Sequence, residues 1–224
     1  MAVDGALLAA AQTPTLRLYG WAPHAVSMGY FQSIADFADL PGGVPLVRRT
    51  TGGGAIYHGD ELTYSLATDA AMLPRDLAEG YALLHGALVR ALAGVGVRCH
   101  RATEGRMSAR PQDRWCFAHP VMGDLVTERG KLCGSAQRRE RGRVLHHGSL
   151  VIERPELTPF VAAIADQTTP TAIVRKGLHE AVIREIAAAL ALRPYHGAIS
   201  GAERDLAQQL QRDVFSNKRH IARR

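Results

Sequence analysis

The sequence predicts an α+β fold: one domain with a mixed or antiparallel sheet flanked by helices. Three observations carry this. Short runs with β-branched and aromatic content cluster in residues 16–68 and 124–152, and tight turns join several neighbours. Apolar residues at three- and four-residue spacing fall outside those clusters, in 77–92 and in 178–190. The 224 residues, 46% hydrophobic and 21% charged, have ordinary globular composition and the length of one large domain. The whole of 1–224 is therefore expected to be one catalytic or binding domain, with the helical segment 178–224 as part of it.

In order along the chain, Val3, Ala6, Leu7 and Ala10 keep helical spacing, so a short first helix is expected. Residues 16–21 (LRLYGW) and 25–30 read as two strands around a turn at Ala22 and Pro23. Residues 46–49 read as a strand entering the triplet Gly52, Gly53, Gly54, and strand character resumes over 62–68. Pro74 opens the longest helix, to about residue 93, with Leu77, Tyr81, Leu84, Leu88 and Leu92 on one face. A short strand at 97–101 follows the stop at Gly94 and Gly96, and residues 103–115 read as a polar loop. Strands are expected at 124–128, 132–137 and 144–152, with turns at 129–130 and 140–142. Helices over 178–192 and roughly 202–215 end the chain.

Composition narrows the function. Three cysteines, Cys99, Cys116 and Cys133, make no CxxC pair, which argues against a disulfide framework or a structural zinc site; no metal is expected. No stretch approaches the roughly 18 apolar residues of a membrane helix, and Asp4 with no preceding basic residue is unlike a secretion signal. The expected location is cytoplasmic. The net charge of +6 suits an acidic partner: nucleic acid, anionic lipid or an acidic carrier protein. No nucleic-acid-reading motif accompanies it. Of the 27 basic residues only Lys131, Lys176 and Lys218 are lysines, so a lysine inside a glycine-rich segment stands out.

Two segments could carry chemistry. In Arg48-Arg49-Thr50-Thr51-Gly52-Gly53-Gly54, the glycines allow close backbone approach to a ligand, and the two arginines could hold a phosphate or carboxylate. A bare glycine triplet is also the composition of a flexible turn. In the second segment Lys131 precedes Gly134-Ser135-Ala136, where an amine can bind a carbonyl or phosphoryl oxygen. His146 and His147 follow, and a strand sends them to opposite faces, so only one can meet a shared pocket. A hydrogen-bonded core histidine is the ordinary reading of each.

Residues 48–65 (RRTTGGGAIYHGDELTYS) and 131–150 (KLCGSAQRRERGRVLHHGSL) together resemble the lipoate–protein ligase and octanoyltransferase family, which shares its catalytic domain with biotin–protein ligases. The opening MAVDGALLAA and TLRLYGWAPHAVSMGYFQ resemble its first helix and strands. The resemblance implies an α+β fold holding an acyl chain in a tunnel, and transfer of a lipoyl or octanoyl group to one lysine of a carrier domain. By position it implies substrate-binding roles for Arg49, Gly52, Gly53, Gly54, His58, Gly134, Ser135, Ala136 and His147. It makes Lys131 the amine at the activated acyl carbonyl.

Within that family, Cys116 in its Cys-Phe-x-x-Pro setting resembles the nucleophile of the cysteine-dependent octanoyltransferases, and residues 60–65 (DELTYS) resemble their version of that motif. The expected reaction moves octanoate from acyl carrier protein to a Cys116 thioester and on to a lipoyl carrier domain, without a cofactor. The alternative is an ATP- and magnesium-dependent ligase acting through lipoyl-AMP, or a non-catalytic relative. Gly54 stands where such transferases often carry arginine, and Gly5 where the first helix carries an acid. Arg138, Arg139, Arg141 and Arg143 are expected to help dock an acidic carrier, with no role for nucleic acid or membrane.

Overall fold

Nine strands make two sheets in the computed structural model, which describes residues 1–104 and 114–222. The larger sheet holds β1 (Thr15–Tyr19), β5 (Glu61–Asp69), β9 (Arg143–Val151), β8 (Gly130–Glu140), β7 (Leu125–Thr127) and β6 (His100–Arg101), in that spatial order. Every neighbouring pair in it is antiparallel. Arg141 and Gly142 close the β8–β9 hairpin, both at positive φ (49° and 78°), the two-residue turn whose twist matches that of paired strands. The smaller sheet has β2 (Ala25–Met28) at its centre, parallel to β3 (Leu46–Arg48) and antiparallel to β4 (Ile56–His58).

One face of the large sheet is covered by α2 (Leu77–Ala93) and α3 (Ala172–Ala189). Leu84, Leu88 and Leu92 of α2 and Leu178, Val182 and Ile186 of α3 bury against Leu62, Tyr64, Leu125, Leu132 and Leu150 of the strands. Asp76 caps α2, its carboxylate accepting from Glu79 N at 2.9 Å. On the other face α1 (Ala2–Ala10) seats Leu7 and Leu8 against Ala67 and Leu145. The α4 helix (Gly201–Leu210) opens with a Ser200–Glu203 capping box and runs beside α1. A π-helical turn (Gln211–Phe215) and α5 (Lys218–Ile221) follow. Buried Arg48 donates to the carbonyls of Gly29, Tyr30 and Gln32 and also to those of His220 and Ile221, tying α5 to the loop after β2.

The expected strands and helices are present, with three differences. The strand β4 was not expected, because three residues are too few to show alternation. The α3 helix starts at Ala172 and not at 178, since its first turns are exposed (Ile173 is 84% accessible) and carry no apolar rhythm. The pairing part of 97–101 is only His100 and Arg101; Val97 is instead a core residue, 0% exposed. Most of the expected loop 103–115 lies outside the described residues.

Candidate active site

The strands β7 and β8 pair at Thr127↔Gly130 and Val126↔Lys131, then slip by one residue, so that Leu125 faces Cys133. Leu132 is the extra residue of a β-bulge. Strand side chains alternate, so in unbroken register Lys131 would join Cys133 in the helix-covered core. The bulge lets Leu132 and Cys133 both enter that core and turns Lys131 to the face of Gly134. There the ammonium is 2% exposed and has three acceptors: Asp124 Oδ2 at 2.6 Å, Cys116 O at 3.0 Å and Cys116 Sγ at 3.3 Å. Burial works against the charge, but Cys116 and Asp124 outweigh it and hold the amine above its ordinary value.

Cys116 is delivered by the glycine triplet. After Gly54 the chain bridges in parallel to Trp115: Ala55 N donates to Arg114 O at 2.6 Å and Cys116 N to Ala55 O at 2.8 Å. Gly54 itself packs against Cys116, where a Cβ would lie 2.7 Å from the Cys116 nitrogen. Of the three thiols, Cys116 is half-buried beside a cation. Burial raises Cys99 to about 11 and Cys133 well above the ordinary thiol value, leaving both unreactive.

The two arginines before the triplet are both engaged with backbone carbonyls. Arg48 is occupied by the carbonyls named above. Arg49 donates to Ser27 O at 2.7 Å, Gly52 O at 3.0 Å and Gly54 O at 2.9 Å, so it holds the shape of the glycine loop from inside. The physical reason is local: three glycines leave carbonyls turned inward, and a buried carbonyl needs a donor.

A cavity of about 40 Å³ adjoins Cys116 and is lined by Arg49, Gly52, Gly53, His58, Gly134, Ser135, Ala136 and His147. The loop after β3 and the 134–136 segment thus share one pocket. Lys131 stands behind its wall, reached through Cys116 and Gly134. His147 faces this cavity with Nε2 2.9 Å from Thr51 Oγ1; burial, helped by the Arg49 charge, pulls it down to about 4 and keeps it neutral. His146 faces the opposite side, among Tyr64, Tyr81 and His85. The Ser135 hydroxyl also turns that way, bonding Tyr64 and His85.

Sequence reasoning missed Asp124 as the partner of Lys131, and it missed a buried carboxylate, Glu61. His58 Nδ1 donates to Glu61 Oε1 at 2.7 Å, Thr63 Oγ1 donates to the same oxygen, and Ser149 Oγ donates to Oε2 at 2.5 Å. The His58 ring stacks on Trp21 with centroids 3.9 Å apart. His58 and Glu61, three residues apart at the β4–β5 turn, were a legible acid–base pair; Asp124 was legible only as an acid at a strand start. Among the described residues no group of three or more His, Cys, Asp or Glu could hold a metal ion.

Asp4 stands one residue before Gly5, the position where the resemblance expects an acid. It is 2% exposed and accepts from Ser65 and Arg17 at 2.7 Å and from Tyr19 at 2.8 Å. Gly5 instead admits α4: a Cβ there would meet Leu210 Cδ1 at 3.1 Å.

Comparison with known proteins places the fold and the family. A family model described as the lipoyl protein ligase A/B catalytic domain matches residues 1–193. A Kyrpidia tusciae protein named Octanoyltransferase LipM is 34% identical, the match covering 97% of this chain and 92% of that protein. A protein of the same name from Macrococcus caseolyticus is 37% identical over 67% of this chain and 60% of its own length. Among solved structures, lipoate-protein ligase A bound with ATP superposes with a TM-score of 0.79 at 22% identity, covering 99% of this chain and 92% of that one. The bi-partite lipoate protein ligase of Thermoplasma acidophilum gives 0.77 at 20% identity, covering 99% and 89%. At those identities the likeness is one of fold. The family model and the near full-length relative together show that this chain belongs to the lipoyl protein ligase A/B catalytic domain family.

Proposed function

We propose that this chain is an octanoyltransferase of protein lipoylation that works through a thioester on Cys116. The observation that carries the reading is the Lys131 ammonium 3.3 Å from the Cys116 sulfur, at the wall of a cavity built from the glycine loop and β8. In the first step the Cys116 thiolate attacks the octanoyl thioester of acyl carrier protein. A new C–S bond forms, the old one breaks, and the carrier sulfur leaves as a thiolate that takes a proton from solvent. In the second step a lysine amine of a lipoyl carrier domain attacks the acyl-cysteine. The amide C–N bond forms, the Cys116 C–S bond breaks, and the amine's proton passes to the departing thiolate or solvent. Splitting the transfer in this way needs no ATP. Lys131 stabilises the oxyanion of both tetrahedral intermediates as a buried point charge, and neutral His147 closes the cavity without competing for it.

Relatives named octanoyltransferase support the acyl group, and a fold neighbour determined with its E2 lipoyl domain supports the acceptor. Of the arginine run expected to dock an acidic carrier, three members also make contacts within the chain. Arg138 bonds Glu140 and Thr50 O, Arg139 bonds Pro74 O, and Arg143 bonds Leu8 O and Asp69. Arg141 remains exposed at the hairpin tip. Among the described residues no helix is long and apolar enough to cross a membrane.

The test is intact-mass measurement after incubation with octanoyl-acyl carrier protein in the absence of ATP. An octanoyl adduct is expected on the protein and on its Cys99→Ser and Cys133→Ser variants, and none on Cys116→Ser. An active Cys116→Ser enzyme with strictly ATP-dependent transfer would replace this reading with the ligase.

A further inference from the structure

His85 belongs to none of the motifs above, yet it bridges the two backbone segments that flank Lys131. It lies on α2, 0% exposed, with Nδ1 2.6 Å from Gly123 O and Nε2 2.7 Å from Ser135 Oγ. A carbonyl only accepts, so Nδ1 carries a proton and donates to Gly123 O. Burial disfavours the imidazolium, so Nε2 keeps its lone pair and the Ser135 hydroxyl donates to it. The Tyr64 hydroxyl then donates to Ser135 Oγ at 2.6 Å, and Tyr81 donates to Ser135 O at 3.2 Å. Each end of the imidazole thus has one consistent partner.

Both partners adjoin the reacting pair. Gly123 precedes Asp124, whose carboxylate grips the Lys131 ammonium at 2.6 Å. Ser135 follows Gly134, against which the Lys131 side chain lies. We propose that His85 is a positioning residue for Lys131: it sets the spacing between the 123–124 turn and the 134–135 segment of β8, and so holds Nζ within reach of Cys116 Sγ. It touches neither the sulfur nor the substrate cavity. An apolar side chain at 85 would fill the same volume but leave Gly123 O and Ser135 Oγ without this link, and the counter-ion would be free to drift.

The inference rests on the transfer reading for its consequence in catalysis, but its geometry can be read without turnover. The experiment measures the rate at which iodoacetamide alkylates Cys116, by mass spectrometry of the Cys116 peptide, alongside kcat and KM for octanoyl-acyl carrier protein. His85→Leu should slow alkylation and lower kcat, each by about tenfold or more, because small misplacements of a catalytic charge are costly. KM should stay within about twofold. His85→Asn, whose amide can still donate to Gly123 O, should recover part of both rates. If His85→Leu does not fold, His85→Gln, which loses the Gly123 donor, takes its place. A folded Leu or Gln variant with the parent's alkylation rate and kcat would overturn the proposal, as would a change confined to KM. Slowed alkylation in a protein that never forms an octanoyl adduct would instead sink the transfer reading and leave the positioning role standing.

Discussion

Gly134 and Lys131 occupy each other's space: a Cβ built on Gly134 would stand 2.6 Å from Lys131 Cε and 2.8 Å from its Nζ. The glycine is there for the lysine and not for a turn, since its backbone is ordinary strand. Gly134→Ala is therefore expected to fold and to lose activity. Displacing the ammonium by about 1 Å should cost on the order of 100-fold in transfer rate. A parent-like kcat in Gly134→Ala would show that Lys131 re-seats without consequence.

Asp124 and Lys131 form an ion pair in which each side chain is 2% exposed. Removing one partner leaves a buried charge uncompensated, which costs about 3–5 kcal/mol. Asp124→Asn should show that loss in urea unfolding. The double variant Asp124→Leu, Lys131→Met should regain most of it while remaining inactive in transfer. Equal stability of Asp124→Asn and the parent would mean the pair is hydrated.

At position 54 the family resemblance implies an arginine, where this chain has glycine. The glycine abuts the Cys116 backbone, and a Cβ at Gly54 would stand 2.7 Å from the Cys116 nitrogen. Gly54→Arg is accordingly expected to shift the 114–116 segment and to lower, not raise, the yield of octanoyl adduct on Cys116. Intact-mass time courses of the two proteins decide it.

His147 makes stability depend on pH in a defined window. Its value falls from an ordinary 6.5 to about 4 on folding, chiefly through burial. Between those values the unfolded chain binds more protons, so stability rises with pH; it is fully present above about 6.5 and lost as pH falls toward 4. The shift corresponds to about 3 kcal/mol. Urea midpoints of the parent should drop between pH 7 and pH 4.5, and His147→Gln should drop measurably less. Parallel drops in the two proteins would assign the effect to the other buried histidines, His146 and His85, which burial also pulls down.

Much of this protein is written locally in its sequence. The 3.6 periodicity marked α2 and the core-facing part of α3, because each run is long enough for its own apolar face to show, and strand-type composition marked β5 and β9. The glycine triplet, Lys131 and Cys116 were legible as motifs. The role of Arg49 was not, because a buried arginine feeding loop carbonyls and one awaiting an anion have the same spelling.

What only the tertiary structure decided comes from pairing. The slip between β7 and β8 at Leu132 turns Lys131 out of the core and toward Cys116, and no residue in β8 announces it, since register belongs to two strands and not to one. The same pairing sends His147 to the cavity and His146 to the helix side. The His85 link joins residues 38 and 50 positions distant from it, through contacts made once α2 lies on the sheet. Sequence thus determined which chemical groups are present and which local elements carry them. Their mutual distances, such as the 3.3 Å between Lys131 Nζ and Cys116 Sγ, were set by how those elements pack.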